Sequence, residues 1–426
     1  MRLQINTKYN LLWLLAAVLA TSFYLFPIGF RGLPESLNTK QMLAVVGVLI
    51  FAFRCVYDRS FRFSKPTLVT FAIACVFSLW CFFCTVINNT SDNSYALYIL
   101  SFAVWLGGAY AACCIIKKAY GSLDLRILTR VMAFVCVAQC VSALLVDNVP
   151  WFRDFVDTWI IQDTTPKRVR RMYGLGISLD SGAVRLNMAL MLIAHQLANR
   201  TEGSHGRRDV WTYWIAFLFI SVVGSMIART TWVGMGLGLL YIFIRRVLVR
   251  MKSFSRTKIL IVMGTLAVAA GALLYFVHLY NTDYTFRNYM RFGFEAFFNF
   301  FEHGEFRTDS TDRLNDVMWV WPWTKQGWIV GYGNFDSGFW GHFMTDIGYC
   351  RFTLYCGLVG MAIFSVYFIY LALAMSRKFE KTGLLFLLLL AMTFIVWIKV
   401  STDLFQLYAL LLCLPAARES TPSADD

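Results

Sequence analysis

The chain has 426 residues, of which 58% are hydrophobic and 15% charged. Soluble domains carry about 25% charged residues, so an ordinary water-soluble fold is excluded. The formal net charge of +14 would suit a nucleic-acid binder, unless the charges sort by side of a membrane.

A bilayer core about 30 Å thick takes roughly 20 apolar residues as helix. In chain order, the hydropathy pattern predicts spans at 11–30, 41–57, 67–87, 93–116, 127–146, 173–198, 210–228, 230–244, 259–280, 352–376, 382–398 and 404–417. Those at 41–57, 127–146, 173–198, 230–244, 382–398 and 404–417 are short or carry a charge, so the count is about twelve. The first run is long, lacks a small-residue cleavage site and reads as a retained helix. No lipidation motif opens or closes the chain. The expected fold class is an all-α integral membrane protein, one polytopic domain over residues 1–426.

Alternating the helices from a cytoplasmic amino terminus also leaves the carboxyl terminus cytoplasmic. The cytoplasmic segments then hold 23 Lys and Arg against 8 acids, and the outer segments 15 against 16. The basic excess is a topology signal of the positive-inside kind, and nucleic-acid binding loses its support. The densest cluster, Arg245, Arg246, Arg250, Lys252, Arg256 and Lys258, falls where a cytoplasmic loop is required. Orientation is its first reading and a grip on anionic membrane lipid its second. The eleven cysteines fall inside apolar spans or, for Cys350, two residues before one, and read as small buried hydrophobes, without metal-ligand spacing to any histidine.

Two outer loops are long enough to build something. The first, 147–172, holds Trp151, Arg153, Trp159, Lys167, Arg168, Arg170 and Arg171. A basic cluster on the outer side opposes the orientation bias, which points to an anionic ligand. The second loop, 281–346, precedes the tenth helix and holds Trp319, Trp321, Trp323, Trp328, Tyr332 and Trp340 with Gly331, Gly333, Gly338 and Gly341. Such aromatics stack on sugar faces or sit in a membrane-interface belt, and their density with the glycines predicts a structured loop. No internal repeat is visible, and the single large loop late in the chain weighs against a two-halved transporter.

Charges within a membrane are costly and usually functional. Asp180 and Arg185 share one span; Arg185 is a candidate anion ligand or one side of a structural ion pair. Arg229 lies in a short outer turn, where a guanidinium can grip phosphate oxygens. Arg313 stands in the large loop, and His342, Asp346 and Arg351 stand where it meets the next span. His342 or Asp346 could serve as general base and Arg351 could hold a phosphate. Lys399 and Asp403, four residues apart, read as a stabilising ion pair.

Two regions resemble bacterial Wzy-type O-antigen polymerases and the related O-antigen ligases: Arg171 through Asn187 with Gly224 through Gly234, and Arg313 through Asn334 with Thr345 through Gly360. The two long loops come third and fifth among the outer segments, as in that family. The family's arginine eleven residues before a glycine occurs at Arg171 and Gly182 but not in the second loop, so it carries no argument. The resemblance implies a GT-C-like membrane glycosyltransferase of the bacterial inner membrane with no cofactor or required metal. Its donor would be undecaprenyl-diphosphate-linked oligosaccharide, polymerised at the periplasmic face, with a flippase and a chain-length regulator as partners. By the same resemblance, Arg171, Arg185, Arg229, Arg313 and Arg351 would bind the diphosphate. Asp346 or His342 would deprotonate the acceptor, and Trp319, Trp323 and Tyr332 would hold the glycan. A ligase would place a catalytic histidine in the large loop, for which His342 and His303 are candidates. A flippase or other transporter is the alternative from a different class.

Overall fold

The computed structural model describes residues 7–34, 37–57, 59, 63–161, 172–177, 179–199, 207–245, 280–282, 284–305, 307–335 and 345–415. Helix dominates. In chain order it comprises α1 (Thr7–Leu25), β1 (Gly29–Phe30), α2 (Thr39–Tyr57), α3 (Lys65–Ile87), α4 (Tyr98–Tyr120), α5 (Leu125–Asn148), α6 (Pro150–Trp159) and β2 (Ile160–Ile161). There follow α7 (Leu179–Ala198), α8 (Arg207–Ile227), α9 (Thr231–Phe243), α10 (Tyr284–Gly293), α11 (Glu295–His303), α12 (Asp309–Arg313) and a π turn at Leu314–Met318. The series closes with α13 (Lys325–Val330), α14 (Gly348–Lys378), α15 (Gly383–Trp397) and α16 (Phe405–Cys413).

Among the described residues, six helices are long and apolar enough to cross a membrane: α2, α3, α4, α5, the Val210–Ile227 part of α8, and α14. Parts of α1, α9 and α15 are shorter apolar helices. The chain is therefore an all-α, multi-pass membrane protein. Exposed apolar faces agree with this solvent: Val45, Leu49, Phe53 and Val56 on α2, and Leu68, Leu79 and Phe82 on α3, all point outward, where lipid rather than water satisfies them. Sequence-encoded stops set several ends. The Ser64 side chain accepts from Thr67 N to open α3, Asp124 accepts from Ile127 N to open α5, and Gly121 closes α4 in the left-handed region.

The predicted spans map onto described helices with the exception of 259–280, which apart from Tyr280 lies outside the described residues. The span predicted at 93–116 begins instead at Tyr98, because Asp92 accepts from Ser94 N at 2.9 Å and holds the chain in a turn. The span predicted at 173–198 begins at Leu179, after a loop in which Gly176 has a φ of +73° and passes against the Phe26 and Pro27 carbonyls. Although it carries Asp180 and Arg185, α7 is buried almost continuously from Gly182 to Ala198. It packs on α5, α8, α9 and α15. The cysteines are all free thiols, seven buried and four half-buried.

The turns gather alternately at two ends. At one end, β1 pairs antiparallel with β2, Arg31 N donates to Trp159 O at 3.0 Å, and Thr90 Oγ1 donates to Gly333 O at 2.6 Å. At the opposite end, Lys378 Nζ donates to the Leu411 and Leu412 carbonyls at 3.0 and 2.9 Å. Both long loops lie at the first end. They are not plain connections: α6 and β2 occupy one, and α10 to α13 the other.

Candidate functional site

The loop-rich end carries a belt of half-buried charges. Asp180, in the first turn of α7, accepts from the Thr230 hydroxyl and pairs with Lys399 Nζ at 3.1 Å. The expected Lys399–Asp403 pair is thereby corrected. Between α15 and α16 the chain is not helical, so residues four apart do not share a face. Asp403 instead accepts from Phe405 N at 3.0 Å, opening α16, and from the Tyr98 hydroxyl at 3.2 Å. Burial pushes its carboxyl upward, opposed by these hydrogen bonds and by the Lys40 charge.

Lys40, the second residue of α2, completes the belt. Asn38 Oδ1 accepts from Lys40 N and fixes this helix end, and the ammonium lies over the Trp105 ring at 4.4 Å. Tyr24 stacks edge-on against the same ring at 5.3 Å. Arg185 lies over Phe26 at 6.0 Å and is near enough for its charge to act on Lys40, as does that of Asp403. Lys40, Arg185 and Asp403 are each half-buried. Two of these groups carry no functional signal in the sequence: Lys40 merely precedes an apolar run, and Asp403 reads as half of an ion pair.

Arg229 is positioned by α7 and α9. Asn187 Nδ2 donates to Thr230 O at 2.9 Å, and Gly234 lets α9 approach Asn187 so closely that a Cβ there would overlap its side chain. The Arg229 guanidinium pairs with Glu295 at 2.7 Å, their side chains 15% and 18% exposed, and lies over Phe292 at 4.4 Å. Arg351 pairs with Asp346 at 3.2 Å, donates to Thr345 O at 2.5 Å and lies over Phe335 at 4.5 Å. Asp346 is 65% exposed. Arg313 is exposed at the end of α12, apart from the belt's ion pairs. The expected Arg171 and His342 lie outside the described residues, as do Lys167, Arg168, Arg170 and Trp340. His303 is exposed beside Glu302 at 4.0 Å.

The aromatic loop is built on the start of α14. Trp319, Trp321 and Trp328 stack in series, with centroids 5.7 and 5.5 Å apart. Trp321 and Tyr332 pack with Leu314 and Met318 against Ile347, Cys350 and Leu354. The Tyr332 hydroxyl accepts from Trp323 N at 2.9 Å, while Trp319 and Trp323 remain exposed. Two of the expected glycan-stacking rings therefore face solvent, and Tyr332 is a structural post.

Beneath this loop α14 is broken. Gly357 has φ +65° and ψ −176° inside the helix. In a straight helix Thr353 and Met361 would stand about 12 Å apart along the axis, yet their Oγ1 and Sδ atoms are 3.6 Å apart. The break frees carbonyls that protein donors fill: Tyr332 N reaches Leu354 O at 2.6 Å, Gly333 N reaches Tyr355 O at 2.9 Å, and Trp80 Nε1 reaches Cys356 O at 2.8 Å. Asn88 Nδ2 adds a bond to Gly331 O at 3.1 Å. Residues 358–378 still span about 31 Å at 1.5 Å each, enough for a bilayer.

The belt can hold an anion through paired cations, offer carboxylates for proton transfer, and present exposed indoles to a sugar face. Among the described residues no group of three or more His, Cys, Asp or Glu gathers as a metal site. No family of known proteins matches the chain, and neither a curated protein nor a solved structure matches it.

Proposed function

We propose that the protein is a membrane glycosyltransferase that polymerises oligosaccharide repeat units carried on undecaprenyl diphosphate at the periplasmic face of a bacterial inner membrane. The observation that supports this reading is the half-buried belt of Lys40, Asp180, Arg185, Lys399 and Asp403 at the loop-rich end, close to Arg229, the same end that carries the loop with exposed Trp319 and Trp323. A lipid diphosphate carries its charge at the membrane surface, where such cations meet it. Developing charge on the departing diphosphate is stabilised by preorganised arginine and lysine. Arg185, Arg229, Arg313 and Arg351, with Arg171, are the proposed donor ligands; Trp319 and Trp323 hold glycan.

The alternative within enzymes is a ligase that moves glycan to a lipid acceptor; the alternative outside them is a lipid-linked oligosaccharide transporter. A broken helix is a device transporters use, but here the carbonyls at the break are occupied by Trp80 and the loop backbone. That favours a fixed bend over a substrate path. In a strain lacking the protein, lipid cores bearing single repeat units are expected. Cores bearing none would indicate a ligase, and substrate movement in vesicles without polymer growth a transporter.

A further inference from the structure

On α5, Phe134, Ala138, Val141 and Leu145 are exposed, and their spacing of three or four residues draws one stripe along the helix. This helix is apolar and long enough to cross a membrane, so the stripe meets lipid. Exposed Arg126 and Arg130 head the stripe and exposed Asn148 ends it. From Arg130 to Asn148 the helix rises about 27 Å at 1.5 Å per residue, near the roughly 30 Å of a hydrocarbon core. The end of α5 therefore stands at the level of the lipid headgroups.

Only Val149 separates that end from α6. Arg153 Nε donates to Val146 O at 2.9 Å and its Nη2 to Asp147 O, filling carbonyls that the end of α5 leaves open and holding α6 against it. Around its axis α6 carries three sectors. Phe152 and Val156 pack inward with Ile28 and Val146. Arg153, Asp154, Asp157 and Thr158 are exposed and polar. Between these sectors Trp151, Phe155 and Trp159 share about 80° of arc at 100° per residue, and they are 71%, 51% and 56% exposed. A contiguous apolar patch of this kind marks a contact surface. Indoles, apolar in the ring and polar at the N–H, suit the boundary between lipid and water.

We propose that α6 is an interfacial helix lying in the membrane plane at the loop-rich end, with Trp151, Phe155 and Trp159 set among headgroups and upper acyl chains. Lipid is the occupant because the helix starts at headgroup level, where the lipid-facing stripe of α5 ends, and because the polar sector beside the rings faces the water boundary. Lying flat keeps the three rings at one depth; upright, Trp151 and Trp159 would differ by about 12 Å. The anchor sets the depth of what is tied to it. β2 follows α6 and pairs with β1, Tyr173 donates to Asp157 at 3.0 Å, and Tyr289 of α10 donates to Asp147. Both long loops are thereby held at the bilayer surface, whether or not the protein transfers sugar.

The test uses the full-length protein carrying fluorotryptophan, in lipid nanodiscs, read by fluorine NMR. Trp151→Phe and Trp159→Phe serve only to identify the two resonances, with Trp151→Tyr and Trp159→Tyr in reserve should either fail to fold; broadening is read on the wild-type protein. A phospholipid spin-labelled just below its headgroup is expected to broaden both resonances to loss, and more strongly than a gadolinium chelate in the water. Stronger broadening of either by the chelate overturns the assignment: the face is then in water, as a glycan platform if a soluble oligosaccharide protects it and as bare surface if none does. Insensitivity to both agents overturns it too, since protein would then cover the rings.

Discussion

Replacing Gly357 by alanine should release the aromatic loop from α14. Two costs add at this position. A non-glycine residue at φ +65°, ψ −176° is strained by about 1–3 kcal/mol. The new Cβ would also overlap the Ile329 carbonyl of α13, an overpacking cost of about 1–3 kcal/mol. The cheapest relief is to move α13, because it is one short helix held to the break by two backbone bonds, Tyr332 N to Leu354 O and Gly333 N to Tyr355 O. Those bonds contribute about 0.5–1.5 kcal/mol each, so they yield before the span does. Even about 2 kcal/mol corresponds to roughly a thirtyfold change in a local opening equilibrium. Amide hydrogen exchange at Tyr332 and Gly333 should therefore quicken by at least about thirtyfold, with the helical content unchanged. Gly383→Ala, where a Cβ would meet nothing within 4 Å, is the control. Unaltered exchange in Gly357→Ala would refute the claim that this glycine makes room for the loop.

Three further outcomes are expected. Arg229→Ala leaves Glu295 half-buried without its partner, so both stability and polymer should fall; adding Glu295→Gln should restore the unfolding midpoint but not the polymer, whereas recovery of both would make Arg229 purely structural. Arg313→Ala, at an exposed site, should shorten the polymer while changing stability by less than about 0.5 kcal/mol; normal chain lengths would remove Arg313 from the site. In a double-mutant cycle, Lys399 should couple to Asp180 by about 0.5–3 kcal/mol and not measurably to Asp403, the reverse pattern contradicting the pairing seen here.

The membrane class was legible because apolar runs of bilayer length need no tertiary information. The site was less legible, for physical reasons. Lys399 and Asp403 have helical spacing, but the turn that holds them is not a helix, and Lys399 reaches across to α7. Lys40 looks like any cation flanking a span, and that the Arg185 charge acts on it follows only from the tertiary fold. Low hydropathy made 173–198 a weak span, although α7 is buried almost throughout. A central helix meets protein on all sides and needs less lipid-compatible surface. Nothing local marked Gly357 as a break, since a glycine in a membrane helix is common. The indole-rich loop was foreseen as structured, but which rings pack and which face solvent follows only from the Trp319–Trp321–Trp328 stack on α14.

The most direct measurement places purified protein in vesicles with a lipid-linked repeat unit and follows chain growth and release of polyprenyl diphosphate. The account predicts a ladder of longer lipid-linked glycans, one diphosphate released for each added unit, without added nucleotide sugar. No ladder, with the substrate either unchanged or moved across the bilayer intact, would contradict it.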